Sequence, residues 1–141
     1  MITMAMLLKV GGIVQLAILV ASVQVPRRLN WKTELAGLKP FLRQLFYVYG
    51  AFIVLTIIGM GVISIAFAEE IATSPGLGRA FAAFVLIFWG LRLFTQFVIF
   101  DAGPILTTRL MRVAYHALTF AFITLVGVYG AVVFQIAGRA M

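Results

Sequence analysis

The sequence predicts an all-α integral membrane protein. Four transmembrane helices form an antiparallel bundle, with a short interfacial amphipathic helix between helices 1 and 2. Three observations predict this fold. Apolar residues make up 64% of the 141-residue chain and mean hydropathy is +1.14, more than a soluble domain of this size can bury. Lys and Arg number 11 and Asp and Glu only 4, too few charges to coat a globular surface. The apolar residues collect in segments 4–25, 41–68, 79–100 and 110–137, which together make one transmembrane domain over 1–141. Each segment is near the roughly 20 residues that a helix needs to cross a bilayer core.

In the first segment, Lys9 precedes an apolar run that ends near Ala21-Ser22-Val23, an arrangement that imitates a signal peptide. It is read here as a retained span. Gly11, Gly12, Ala17 and Ala21 mark its packing face. The connection that follows holds Arg27, Arg28, Lys32, Lys39 and Arg43 against Glu34. Asn30 is placed to cap a short helix in which Trp31, Leu35 and Leu38 recur at i, i+4 and i+7, giving one apolar stripe. Such a helix lies in the headgroup plane. The five cations around it are the candidate contacts for anionic lipid headgroups.

Pro40 suits the first turn of the second segment, where a missing N–H costs nothing. Phe46, Tyr47 and Tyr49 fall at the level of an aromatic belt, and Gly50, Gly59, Gly61 and Ser64 follow. The connection EEIATSPGLGR carries Glu69, Glu70 and Arg79. After the third segment, Asp101-Ala102-Gly103-Pro104 breaks the chain. In the fourth segment, His116, Thr119, Ile123, Gly127 and Gly130 share one helical face, read as a helix–helix seam. Gly127-x-x-x-Ala131 is a small-xxx-small pattern that lets backbones approach closely. Gly12, Gly50, Gly59, Gly127 and Gly130 are the glycines expected to pack between helices. Val48-Tyr49-Gly50-Ala51 matches Val128-Tyr129-Gly130-Ala131, but at different depths in the two segments, so no internal repeat is inferred.

Charge placement predicts orientation. Arg27, Arg28, Lys32, Lys39, Arg43, Arg109 and Arg112 fall on one side; Lys9, Arg79 and Arg139 fall on the other. By the positive-inside rule, loops 26–40 and 101–109 face the cytoplasm and both termini lie outside, in a multi-pass protein of the inner (cytoplasmic) membrane.

Arg92 stands inside an otherwise apolar run, nine residues before Asp101 and so about 13 Å from the end of its helix. An arginine at the centre of a span costs about 2.5–3.5 kcal/mol, and the thirteen Leu, Ile, Phe and Val residues from Phe81 to Phe100 offset roughly 4–8 kcal/mol. Insertion survives, with the arginine turned to protein or water. Thr95 and Gln96 share its face. With His116, Tyr115 and Thr119 of the fourth segment, and Gln44 and Tyr47 of the second, they compose a polar cluster in the inner half of the membrane. No comparable cluster is expected in the outer half.

Most site chemistry lacks its residues. There is one His and no Cys, so multi-ligand zinc, di-iron and bis-histidine haem sites have no ligand set. No HExxH, GxSxG, P-loop or dinucleotide fingerprint occurs, which weighs against an enzyme. No cofactor or metal is predicted, while a mixed His116–Met haem or a quinone headgroup stays open. Nothing points to nucleic acid. The expected role is a non-catalytic membrane subunit, assembling as a homo-oligomer or within a larger membrane complex. The alternative is a small transporter, or a membrane protein binding a lipid or quinone-type ligand, that uses the cluster around Arg92 and His116.

Overall fold

The computed structural model describes residues 3–99 and 108–140, the last six by backbone alone. The break expected at Asp101–Pro104 lies outside the described residues. Regular structure among the described residues is helical throughout, with no strand: α1 (Met4–Ser22), α2 (Val25–Arg28), α3 (Trp31–Glu34), α4 (Pro40–Ala66), α5 (Ala68–Thr73), α6 (Leu77–Phe94) and α7 (Arg109–Ala140). Four stretches are long and apolar enough to cross a membrane: Met4–Arg28, Pro40–Ala66, Leu77–Ile99 and Arg109–Phe134.

Helix ends follow local chemistry. The Thr3 hydroxyl accepts the Met6 amide at 3.2 Å and caps α1. Pro40 opens α4 after an extended Lys39, with its missing N–H at a position that has no intrahelical partner. Two expectations change. The amphipathic helix expected after Asn30 starts there as α3, but becomes a 3-10 turn at Leu35–Gly37 and ends before Leu38, which is extended; a separate one-turn helix, α2, precedes it. Asn30 separates α2 from α3: its φ of 52° and ψ of 47° are left-handed, a conformation that asparagine tolerates and that interrupts a helix. Its side chain makes no capping bond. The second span ends at Phe67 rather than running through residue 68, and α5 departs from it as a separate short helix that buries Ala68, Ile71 and Ala72.

Packing is concentrated at one end. α1 is the central helix, against α4 on one side and α7 on the other; α6 packs on α7, and α5 closes against α1 and α6. The buried residues of α4 are Ile57, Met60, Gly61 and Ser64, and those of α6 are Gly78, Ala82, Val85 and Trp89. On α7 they are Phe122, Leu125, Tyr129 and Val132. All lie toward the end that holds α5. At the other end, no residue from Phe41 to Thr56 of α4 is buried.

The glycines divide accordingly. A Cβ on Gly12 would meet the Gly61 carbonyl oxygen at 2.6 Å, and one on Gly61 would meet the Gly12 carbonyl at 3.2 Å, so the α1 and α4 backbones touch there. In a bilayer, such close approach supplies the dispersion contact that the hydrophobic effect no longer provides between helices. A Cβ on Gly50, Gly59 or Gly127 would have nothing within 4 Å, and one on Gly130 would meet only the Leu86 side chain, at 3.9 Å.

Candidate functional site

Two of the three buried polar residues described, Gln15 and Ser64, join Trp89 and Tyr129 in one chain of hydrogen bonds that links the four long helices. Trp89 Nε1 donates to Gln15 Oε1 at 3.0 Å, and Gln15 Nε2 donates to Tyr129 Oη at 2.7 Å. Tyr129 Oη and Ser64 Oγ lie 2.6 Å apart, and Ser64 Oγ reaches the Met60 carbonyl at 2.7 Å. Donor chemistry fixes every proton. The indole N–H can only donate, so the atom facing it must be the amide oxygen of Gln15. The Met60 carbonyl can only accept, so it takes the single proton of Ser64, and Tyr129 must donate to Ser64. The bonds therefore run one way, from α6 through α1 and α7 to α4. Gln15, Ser64, Trp89 and Tyr129 are each 0–1% exposed, and among the described residues no buried side-chain nitrogen or oxygen lacks a partner.

Apolar contacts hold this chain in place. A Cβ on Gly11 would lie 2.8 Å from the Tyr129 ring, so only glycine there admits the tyrosine. Trp89 packs on Phe122 with ring centroids 5.3 Å apart and on Phe88 at 5.1 Å. The seam of α7 is thus Phe122, Leu125, Tyr129 and Val132, which corrects the face expected from the small residues. His116, Ile123 and Gly127 are exposed, and Thr119 and Gly130 are half-buried. The reason is physical: aromatic side chains bring far more contact area than glycines, and a tyrosine hydroxyl in hydrocarbon needs a partner.

The structure brings together only part of the polar cluster read around Arg92. Gln96 donates through Nε2 to Thr119 Oγ1, and Thr119 donates to the Tyr115 carbonyl at 3.0 Å. From Thr95 to Ile99 the helix widens to a π-helix, and Tyr115 Oη donates to the Gln96 carbonyl at 3.4 Å. Thr95 turns its hydroxyl back to the Leu91 carbonyl at 2.8 Å. The Arg92 guanidinium lies 5.8 Å from the centre of the Phe122 ring, within cation–π range, directly beneath the buried hydrogen-bond chain. His116 stacks edgewise on Tyr115 at 5.7 Å and is otherwise exposed. Gln44 and Tyr47 stand apart on the exposed part of α4, where Trp31 packs on Phe46 at 4.9 Å and on Tyr47 at 6.2 Å.

That aromatic cluster fixes α3 to the start of α4. Around it, Arg27, Arg28, Lys32 and Lys39 are exposed and Arg43 is half-buried, with Arg28 Nε donating to Gln24 Oε1 at 3.2 Å. No group of three or more metal-ligating side chains occurs among the described residues.

The residues that sequence reasoning misses are Gln15 and Trp89. It places Ser64 among the small packing residues and Tyr129 in a chance repeat, and expects no polar cluster outside the Arg92 region. Two signals are present. A lone glutamine in the middle of an apolar span must find a partner in hydrocarbon, and a tryptophan at mid-span departs from the interfacial belt where that residue usually lies. Comparison with known proteins finds no matching family model, curated protein or solved structure.

Proposed function

We propose that this chain is a non-catalytic, multi-pass membrane subunit that assembles through α4, with a second copy or within a larger membrane complex. The supporting observation is the unequal packing of α4. Its C-terminal part is locked to α1 by the Gly12–Gly61 approach and to α7 by Ser64, whereas Phe41–Thr56 buries nothing. Gly50 lies in that unpartnered stretch with open space around it. A glycine on an unpartnered helix face lets a second helix approach closely.

The proposal includes an antiparallel bundle in the cytoplasmic membrane. The contact pairs Leu86–Gly130, Trp89–Phe122 and Gln96–Thr119 rise along Leu77–Ile99 as they fall along α7, which supports that arrangement. The basic residues around Trp31 favour loop 26–40 at the cytoplasmic face, against anionic headgroups. The transporter or ligand-site reading draws less support, because Gln44 and Tyr47 do not join Arg92, Thr95 bonds to its own helix, and Gln96, Thr119 and Tyr115 bond to one another.

The chain has no cysteine, so Gly50→Cys is a unique reporter. Under mild oxidation in native membranes, a disulfide-linked dimer is expected for self-assembly. Co-purification of a foreign chain at fixed stoichiometry in native mass spectrometry is expected for a larger complex. A stable monomer in nanodiscs, with neither result, rejects the proposal.

A further inference from the structure

The opposite end of the molecule carries a groove that the assembly face does not use. It lies between the end of α4, α5 and the start of α6, and is lined by Ile63, Phe67, Glu70, Ile71, Leu77 and Phe81, with Ser74 and Gly78 at its base. Its volume is ≈ 400 Å³, within the roughly 300–1,000 Å³ typical of small-molecule sites. The walls are almost wholly apolar. Ser74 is already engaged, its Oγ accepting the Gly78 amide at 3.1 Å. Gly78 fits against the carbonyl of Ile71 more closely than any side chain would permit, so the α5–α6 corner is preformed. The one charged group is Glu70, which is exposed and whose carboxylate has no partner among the described residues.

Depth selects the occupant. α4 has 27 residues, about 40 Å at 1.5 Å per residue, so when it is centred on a hydrocarbon core of roughly 30 Å, Ile63 falls at the far boundary of that core. The groove therefore crosses from headgroups into acyl chains, with Glu70 toward the polar side. The only long apolar group abundant at that depth is a lipid tail. A carboxylate at the mouth attracts a cation, and a charge-assisted hydrogen bond to it requires an N–H donor, which a quaternary ammonium lacks. Glu69 and Glu70 outnumber Arg79 within this connection, which disfavours an anionic headgroup beside Glu70.

We infer that the α4–α5–α6 groove holds one acyl chain of a glycerophospholipid whose primary-ammonium headgroup pairs with Glu70. The inference rests on the membrane embedding of the proposed function but not on its assembly. The groove also complements the basic end of the molecule: anionic lipids bind there, and the ammonium lipid binds here.

The test places the purified chain in nanodiscs of equal parts phosphatidylethanolamine, phosphatidylcholine and phosphatidylglycerol, and reads retained lipids by native mass spectrometry. The difference between wild type and Ile63→Trp, which fills the groove, isolates this site from the basic end. That difference is expected to be one phosphatidylethanolamine per chain, favoured over phosphatidylcholine by about 2–5-fold, the range of a partly solvated ion pair. Glu70→Gln, which leaves the core untouched, should abolish the preference, and Val62→Trp, outside the groove, should retain the lipid. No difference between wild type and Ile63→Trp, a difference consisting of phosphatidylglycerol, or a preference unchanged in Glu70→Gln overturns the inference. A chain that fails to enter nanodiscs at all refutes the membrane embedding instead.

Discussion

Tyr129 joins three helices through one hydroxyl, accepting from Gln15 of α1 and donating to Ser64 of α4. Tyr129→Phe keeps the ring against Gly11 and removes both bonds. The Gln15 amide then has a buried N–H without its acceptor. Interhelical hydrogen bonds in bilayers average about 0.6 kcal/mol and reach about 1.7, so losing two lowers stability by about 1–3 kcal/mol. Ser64→Ala should cost less, because the Ser64 proton goes to its own helix at Met60 and only its acceptor role is lost. Reversible unfolding in mixed micelles measures both; equal midpoints for wild type and Tyr129→Phe would mean that the hydroxyl carries no stabilising bond. Arg92 fits the same scheme as an auxiliary. Its guanidinium lies over Phe122, the residue that backs Trp89, so it supports the start of the hydrogen-bond chain from below.

At the scale of elements, what is legible in the sequence depends on whether a residue pattern can orient its helix. The existence of four long apolar helices is plain, since length and composition alone decide it. Which way each helix faces is not. A span that is apolar all round carries no polar stripe, so small residues on different faces look alike, and Gly12 cannot be told from Gly59 or Gly127. Their environments differ completely: a Cβ on Gly12 collides with the Gly61 carbonyl and the Ile65 side chain, while one on Gly59 meets nothing. Gly12→Leu should therefore force α1 and α4 apart, at the roughly 1–3 kcal/mol of an overpacked core or more, while Gly59→Leu stays within about 0.5 kcal/mol. The same unfolding assay on the isolated chain compares them, and similar losses for the two would contradict the α1–α4 register. Gln15 and Trp89 are the residues that reveal that register, because a polar atom in hydrocarbon names the side of the helix that must meet a partner. The early end of the helix after Asn30 escapes the sequence for a different reason. The stripe of Trp31, Leu35 and Leu38 reads as one helix, and nothing in it marks Leu38 as extended backbone.

The whole molecule is polarised along its length, and that polarity can be measured. One end is closed by α5 and holds the packed core; the other carries the Trp31–Phe46–Tyr47 cluster, the exposed cations and the unburied half of α4. Positive-inside bias counts Lys and Arg near span ends in short loops, and here the bias is strong: seven basic residues on the α3 side against three on the α5 side. The α3 end should therefore face the cytoplasm. Two glycines report on the two ends. Gly37, in the turn after α3, and Gly76, before α6, both have open space where a side chain would stand, so cysteine is tolerated at either, and each would be the only cysteine in the chain. A membrane-impermeant maleimide should label Gly76→Cys in intact cells and Gly37→Cys only after the membrane is opened. The reverse pattern would turn the packed end inward. It would place the basic cluster where anionic lipid is scarcer and remove the electrostatic reason for seven cations to gather around one end.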